Sequence, residues 1–171
     1  EEIPFIAIRV LASNFNNELE IMSYFFSKCD KISGISTSGF LPPLTLNDSL
    51  NNLNIYFIGV AFGDGGFGNE VLWTLVDGTS EKAKLFYSEE YIKSITEILK
   101  KIYKIKVFNI SKINNKIVLT ISNKFFCRFI NFFYDLPFSY KDEKLQRPKI
   151  LEYNSRENEY LFWRGLSDTD G

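Results

Sequence analysis

The chain has 171 residues, of which 45% are hydrophobic, and its 20 basic and 21 acidic residues give a formal net charge of −1. This composition is typical of a soluble globular protein, and no apolar stretch is long enough to span a bilayer. The absence of histidine excludes Ser-His-Asp and Cys-His catalysis, zinc sites that use histidine, and nucleases with a histidine general base. Two cysteines are too few for a disulfide framework and indicate a reducing compartment.

The first 43 residues are predicted to form an N-terminal appendage of unknown role. Residues 4–10 predict a short strand, and the apolar spacing of residues 17–28 is typical of a helix. Residues 33–43 are rich in Ser, Gly and Pro, as linkers are. We therefore expect a boundary at residue 43, with residues 44–154 forming the next unit.

Residues 44–154 predict three helices separated by two pairs of strands. The helix caps are expected to be small polar residues: Asn47, Asp48 or Ser49 for the first helix, Ser88 for the second and Ser122 for the third. The third helix carries phenylalanines at helical spacing, which predicts core packing rather than a base-stacking platform. Leu136-Pro137 is expected to end it.

The strands of this unit are predicted to form two hairpins. They are expected at residues 70–76, 84–87, 104–111 and 116–121. The turns are predicted at Asp77-Gly78 in the first hairpin and at Asn114-Asn115 in the second.

Charge is unevenly distributed along the chain. Residues 80–150 contain 15 Lys or Arg against 7 Asp or Glu, whereas the rest of the chain holds 5 basic and 14 acidic residues. A basic segment of this kind can form the electrostatic footprint that a phosphate backbone requires. A solvated lysine-rich surface is the alternative explanation.

One short pattern occurs twice. The first copy is Phe57-Ile58-Gly59-Val60-Ala61-Phe62-Gly63-Asp64-Gly65, and the second is Trp163-Arg164-Gly165-Leu166-Ser167-Asp168-Thr169-Asp170-Gly171. Each is a helical run with a central glycine that closes on Asp-Gly, and Ser155 is expected to cap the helix of residues 155–171. Each copy also has small residues four apart, which predicts that the two helices pack closely in parallel at Gly59 and Gly165.

Such a helix pair would bring Asp64 and Asp170 side by side. Gly65 and Gly171 are expected to end the helices in a left-handed conformation, and the negative end of each helix dipole repels a carboxylate. A bound cation would compensate, and Mg²⁺ suits two carboxylates completed by water and phosphate oxygens. We therefore expect Asp64 and Asp170 to be catalytic and to bind the metal, with the neighbouring Gly63 and Thr169 in the metal site.

Both copies resemble the signature of the LAGLIDADG homing endonucleases, and the resemblance covers residues 49–171. It implies an α+β fold, in which an αββαββα half with an antiparallel saddle-shaped sheet is followed by the second motif helix. It also implies site-specific, Mg²⁺-dependent cleavage of double-stranded DNA, with one acidic residue from each motif. Family membership further implies a pseudo-dimeric full-length chain, intron or intein mobility, and a cytoplasmic, nucleoid-associated location.

In the family, the outer face of the sheet sits in the major groove of DNA. In the second hairpin, polar residues alternate with apolar core residues and so lie on the opposite face of the sheet. The DNA-contact candidates are Lys106, Lys112, Lys116 and Thr120. The outer face of the first hairpin lacks the Arg and Gln typical of a base reader; it would consist of Glu70, Leu72, Thr74 and Val76.

Two further residues match family positions. Residues 138–148 resemble the segment that precedes the second motif, and Lys141 matches its lysine best. An ammonium near the metal pair would stabilise the developing phosphorane charge or orient the attacking water, and a solvent-exposed lysine is the alternative. Asp168 matches a carboxylate common in the second motif, and we expect it to support the site without binding metal.

Three other functions remain open from the sequence. A non-cleaving DNA-binding regulator would keep the same fold, and a splicing maturase would bind structured RNA instead of DNA. Asp168-Thr169-Asp170-Gly171 could also open an EF-hand-like calcium loop. Because the chain holds both acids but one saddle half, we expect it alone to bind duplex DNA weakly, with a shallow salt slope, and not to make specific double-strand breaks.

Overall fold

The computed structural model of the chain describes residues 5–27, 50–69, 72–78, 82–105, 108–113, 116–138, 146–153 and 155–170. Its helices are α1 (Phe5–Ala12), α2 (Glu18–Ser27), α3 (Asn52–Gly63), α4 (Lys82–Tyr103), α5 (Lys124–Tyr134) and α6 (Arg156–Asp170), with a 3₁₀ helix at Lys149–Tyr153. Its strands are β1 (Gly65–Asn69), β2 (Leu72–Gly78), β3 (Asn109–Ile113) and β4 (Lys116–Ser122). None of the described helices is long and apolar enough to cross a membrane. The described part of the chain is therefore α+β.

The four strands form one antiparallel sheet in the order β1-β2-β4-β3. Side chains alternate between the two faces of a strand. The helix-facing positions are buried in β2 and β4: Trp73, Leu75, Ile117, Leu119 and Ile121. Between them, Thr74, Val118 and Thr120 point to the opposite face and are half-buried.

Helix α3 lies at the centre of the molecule, and its residues from Asn54 to Gly63 are buried except for Tyr56, which is half-buried. One side of α3 packs against the sheet, where the rings of Phe57 on α3 and Trp73 on β2 lie 5.7 Å apart. Another side contacts α6. The phenylalanine stripe of α5 completes this core, as predicted, because Phe126, Phe129 and Phe133 are buried.

Several predicted elements differ from the structure. Residues 4–10 were expected to form a strand, but the described part belongs to α1, in which Ile8 and Ala12 lie one helical turn apart and are both buried. The expected strand at residues 84–87 is wrong, because α4 begins at Lys82 and Ser88 lies within it. The helix at residues 17–28 is confirmed as α2. The linker at residues 33–43 lies outside the described residues.

The sheet also corrects the predicted hairpins. Strand β1 was missed and pairs with β2, which extends through the predicted Asp77-Gly78 turn. In the second hairpin, β3 begins only at Asn109, because α4 continues to Tyr103 and Lys104 takes a left-handed conformation with φ 55°. The Asn114-Asn115 turn is outside the described residues.

The observed N-caps of α3 and α5 lie one to four residues after the predicted ones. Asn51 caps α3, where its Oδ1 accepts from the Leu53 N–H at 3.0 Å, and Asn123 caps α5. The N-cap of α5 is therefore Asn123 rather than Ser122, and that of α3 is Asn51, whereas Asn47, Asp48 and Ser49 lie outside the described residues. The predicted Ser155 cap of α6 is confirmed, because the Asn158 N–H donates to Ser155 Oγ at 3.4 Å.

Candidate functional site

Helices α3 and α6 touch through their backbones at Gly59 and Gly165. A Cβ atom built on Gly59 would lie 2.1 Å from the Phe162 carbonyl oxygen, and one on Gly165 would lie 2.2 Å from the Tyr56 carbonyl oxygen. No side chain fits at such distances, so glycine is required at both positions. This pair of helices packs more extensively than any other pair of described elements.

The two helices run in parallel. Near their N-terminal ends, Asn158 Nδ2 donates to the Leu50 carbonyl at 3.1 Å. Further along, the Phe62 and Phe162 rings meet edge to face with centroids 5.4 Å apart. The C-terminal ends of both helices therefore lie at the same end of the pair.

The parallel packing sets the two predicted acidic positions at that common end. Asp64 lies five residues after Gly59, and Asp170 lies five residues after Gly165. Asp64 directly follows α3 in a right-handed conformation (φ −80°, ψ −14°) and is half-buried. Asp170 is the last residue of α6. The side chain of Asp170 and the whole of Gly171 lie outside the described residues.

Gly65 has a different role from the predicted one. It does not take a left-handed conformation as a helix terminator; it begins β1, opposite Leu75. A Cβ atom here would lie 2.6 Å from the Ala61 carbonyl oxygen and 2.9 Å from Cζ2 of Trp73. Glycine is required because the backbone turns from helix to strand against the core, which holds Asp64 at the junction.

The oxygen donors at this end suit a hard divalent cation. Asp64 and Asp170 stand at the C-terminal ends of the two helices, next to Gly63 and Thr169, and Mg²⁺ prefers oxygen ligands. The Thr169 hydroxyl is already engaged, since it donates to the Leu166 carbonyl at 2.7 Å. The described residues contain no group of three or more His, Cys, Asp or Glu that could hold a metal. A Mg²⁺ ion held by two carboxylates would complete its shell with water and phosphate oxygens.

A polar contact joins α3 to the last turn of α6. The Tyr56 hydroxyl donates to Asp168 Oδ2 at 2.9 Å, and Arg164 Nε lies 3.9 Å from the same oxygen. Burial, followed by the hydrogen bond to Asp168, raises the pKa of Tyr56 to about 12. Sequence reasoning gave Asp168 a supporting role but missed Tyr56, whose only signal is its place one turn before Gly59.

A second polar cluster, also missed from the sequence, is buried behind α3. The Tyr103 hydroxyl donates to Asn54 Oδ1, and Asn54 Nδ2 donates to the Tyr134 hydroxyl, each at 2.6 Å. Burial raises the pKa of Tyr103 well above its ordinary value, so the phenol stays neutral. These bonds join α3 to the end of α4 and to α5, and they fix the helix that carries Asp64.

The DNA-contact candidates lie in different places. Lys116 is exposed and Thr120 half-buried on the outer face of β4, whereas Lys112 lies on the other face. Lys112 is paired in register with the buried Ile117, and directly paired residues share a face of the sheet. Its ammonium forms an ion pair with Glu89 of α4. The expected outward placement of Lys112 is therefore wrong.

The remaining predicted site residues, Lys106 and Lys141, lie outside the described residues. Among the described residues of the outer face, Lys116 is the only cationic side chain. The rest of the described outer face is uncharged and includes Leu72, Thr74, Val76, Asn109, Ser111, Ile113 and Ser122.

Comparison with models of known protein families finds no match for this chain, and comparison with curated protein sequences finds none.

Proposed function

We propose that the chain is the first repeat and second acidic motif of a LAGLIDADG-type endonuclease, which cleaves double-stranded DNA with the help of Mg²⁺. The observation that carries this proposal is the parallel contact at Gly59 and Gly165, with an acidic residue five positions beyond each glycine. If the two helical segments were alike only by chance, they would have no reason to pack against each other at their matching glycines.

The order of elements supports the same proposal. From α3 to α5 the chain runs helix, strand, strand, helix, strand, strand, helix, and α6 follows. The described helices that contact the sheet pack on its Trp73 side. The opposite face of a twisted antiparallel sheet can enter the major groove of DNA. A DNA substrate would place the protein in the cytoplasm, at the nucleoid.

The proposed roles follow from position. Asp64 and Asp170 would hold the metal, with Gly63 and Thr169 beside them. Bound there, Mg²⁺ supplies an activated water and charge stabilisation for phosphodiester hydrolysis. Lys116 would contact a phosphate and Thr120 a base edge or sugar, which orients the duplex on the sheet. Lys141 is proposed as the cation that stabilises charge developing on the phosphate.

The test uses the product of the complete open reading frame. Because the target sequence is unknown, the protein is incubated with a random duplex library and Mg²⁺, and the cut ends are ligated to adaptors and sequenced. We expect one enriched target sequence with the wild type and none with Asp64→Asn or without Mg²⁺. Enrichment that persists in Asp64→Asn would refute the assigned site, and binding of a target without cutting would refute the endonuclease.

A non-cleaving DNA-binding protein of the same fold is the second candidate. It is favoured by the near-neutral charge of the chain, which has 20 basic and 21 acidic residues. In the same library, passed over a filter that retains protein-bound DNA, such a protein would retain one target sequence without producing cut ends. The Asp64→Asn variant would retain it equally well.

A further inference from the structure

The last turn of α6 is unfavourable for an isolated helix. Its final residues include Asp168 and Asp170, and it contains no basic residue. The negative end of the helix dipole repels both carboxylates, and the last carbonyls of a helix lack partners within it. Arg164, one turn earlier in α6, lies 3.9 Å from Asp168 Oδ2 and offsets part of this repulsion. A contact from outside α6 would stabilise the turn further.

The glycine contact does not supply that restraint. Gly59 and Gly165 allow the backbones to approach closely, but neither has a side chain that interlocks with the facing helix. The contact also lies five residues before the end of α6. Side chains that reach from α3 to α6 must therefore restrain the last turn of α6.

Tyr56 makes such a contact. Its ring is half-buried on α3, and its hydroxyl donates to Asp168 Oδ2 at 2.9 Å, two residues before Asp170. The partner carboxylate is 42% exposed, so water competes in part with this bond. A neutral phenol is the required donor, and a tyrosine hydroxyl is protonated at physiological pH.

We propose that Tyr56 is a positioning residue, whose hydroxyl holds the last turn of α6 through Asp168 so that Asp170 stays beside Asp64. The inference rests on the proposed metal site and adds to it a residue that touches neither metal nor substrate. Outer contacts that orient metal ligands change metal affinity by about 10- to 100-fold. Because Asp168 is partly exposed, we expect the lower end, about tenfold.

The experiment measures Mn²⁺ affinity of the 171-residue chain from the electron paramagnetic resonance signal of free Mn²⁺. Tyr56→Phe keeps the ring and the net charge but removes the donor, and we expect it to weaken Mn²⁺ binding about tenfold. Tyr160→Phe is the matched control, because Tyr160 lies on α6 and is 64% exposed. We expect this control to bind Mn²⁺ as the wild type does.

Two variants of Asp168 test the same bond from the other side. Asp168→Ala and Asp168→Asn both remove the charge, but asparagine keeps an oxygen that can accept from Tyr56. We therefore expect weaker Mn²⁺ binding in Asp168→Ala than in Asp168→Asn. Adding Tyr56→Phe to Asp168→Ala should change affinity no further, because the bond is already absent.

The outcomes separate this inference from the proposed function. If the wild type binds no Mn²⁺, or Asp64→Asn binds it equally well, the metal site is wrong and the role of Tyr56 falls with it. If Asp64→Asn loses Mn²⁺ but Tyr56→Phe keeps wild-type affinity, the inference alone is overturned, even where the melting temperature drops. If Tyr56→Phe does not fold, equal affinities of Asp168→Ala and Asp168→Asn overturn it.

Discussion

Replacing Gly59 with alanine should destabilise the protein, although alanine is the better helix former. The added Cβ would lie 2.1 Å from the Phe162 carbonyl oxygen and 3.0 Å from the Leu166 nitrogen. Carbon and carbonyl oxygen normally come no closer than about 3.3 Å, so α6 must move away from α3 by about 1 Å. Both atoms belong to the backbone of α6, and no side-chain rotation can relieve the clash.

The magnitude follows from two opposing effects. A gap of about 1 Å forfeits up to half of the dispersion energy of each contact along the helix pair, and overpacking typically costs about 1–3 kcal/mol. Because this clash is with backbone, we take about 3 kcal/mol. Alanine regains about 1 kcal/mol through helix propensity. The free energy of unfolding should therefore fall by about 2 kcal/mol, which lowers the Tm by about 4–8 °C in a chain of this size.

Thermal unfolding followed by circular dichroism measures this effect. Gly66→Ala is the matched control, because a Cβ atom on Gly66 meets no atom within 4 Å. Gly165→Ala should cost as much as Gly59→Ala, and the double variant should cost less than the sum, since one separation accommodates both methyl groups. A Tm of Gly59→Ala at or above that of the wild type would refute the close backbone contact. Strict additivity would show that the two glycines do not face each other.

Three further predictions concern chemistry, DNA binding and the core. Asp64→Asn or Asp170→Asn should abolish Mg²⁺-dependent cleavage while the DNA dissociation constant stays unchanged in fluorescence anisotropy; cleavage by either variant would contradict the assigned acids. Lys116→Ala should lower DNA affinity and reduce the slope of log K against log salt by about 1. Lys112→Ala should change neither, because the Lys112 ammonium pairs with Glu89 on the other face of the sheet. Asn54→Ala should lower the free energy of unfolding in urea by about 3 kcal/mol, because two buried tyrosine hydroxyls each lose a hydrogen bond to Asn54; a loss below 1 kcal/mol would refute the network.

The helix pair could be predicted from the sequence because its determinants are local. Central glycines, small residues four apart and a Ser155 cap are each visible in a short segment. The phenylalanine spacing of α5 likewise predicts a buried face, and the face is buried. Where a segment carries a clear helical period, as α5 does, the sequence and the structure agree, whereas predicted caps such as Ser88 and Ser122 are misplaced.

The failed predictions concern features set by distant partners. Strand β1 is rich in glycine and has little strand propensity, so pairing with β2 decides its conformation. The side of the sheet on which Lys112 lies depends on its register with β4, and an error in the start of the strand changes the face. The hydrogen bond from Tyr56 joins residues 112 positions apart, and no local pattern announces it.

The acidic helix ends are where local preference and overall structure conflict. Each motif helix closes on an aspartate that its own dipole disfavours, and each is held in place by costly, specific contacts: Gly59 against Gly165, and Tyr56 to Asp168. Sequences generally satisfy local preferences throughout, and exceptions concentrate at functional sites. A helix pair needed only for stability would gain from a lysine or arginine in its last turn, yet neither α3 nor α6 has one. This retained conflict supports the proposal that the acids at the end of the pair bind a metal.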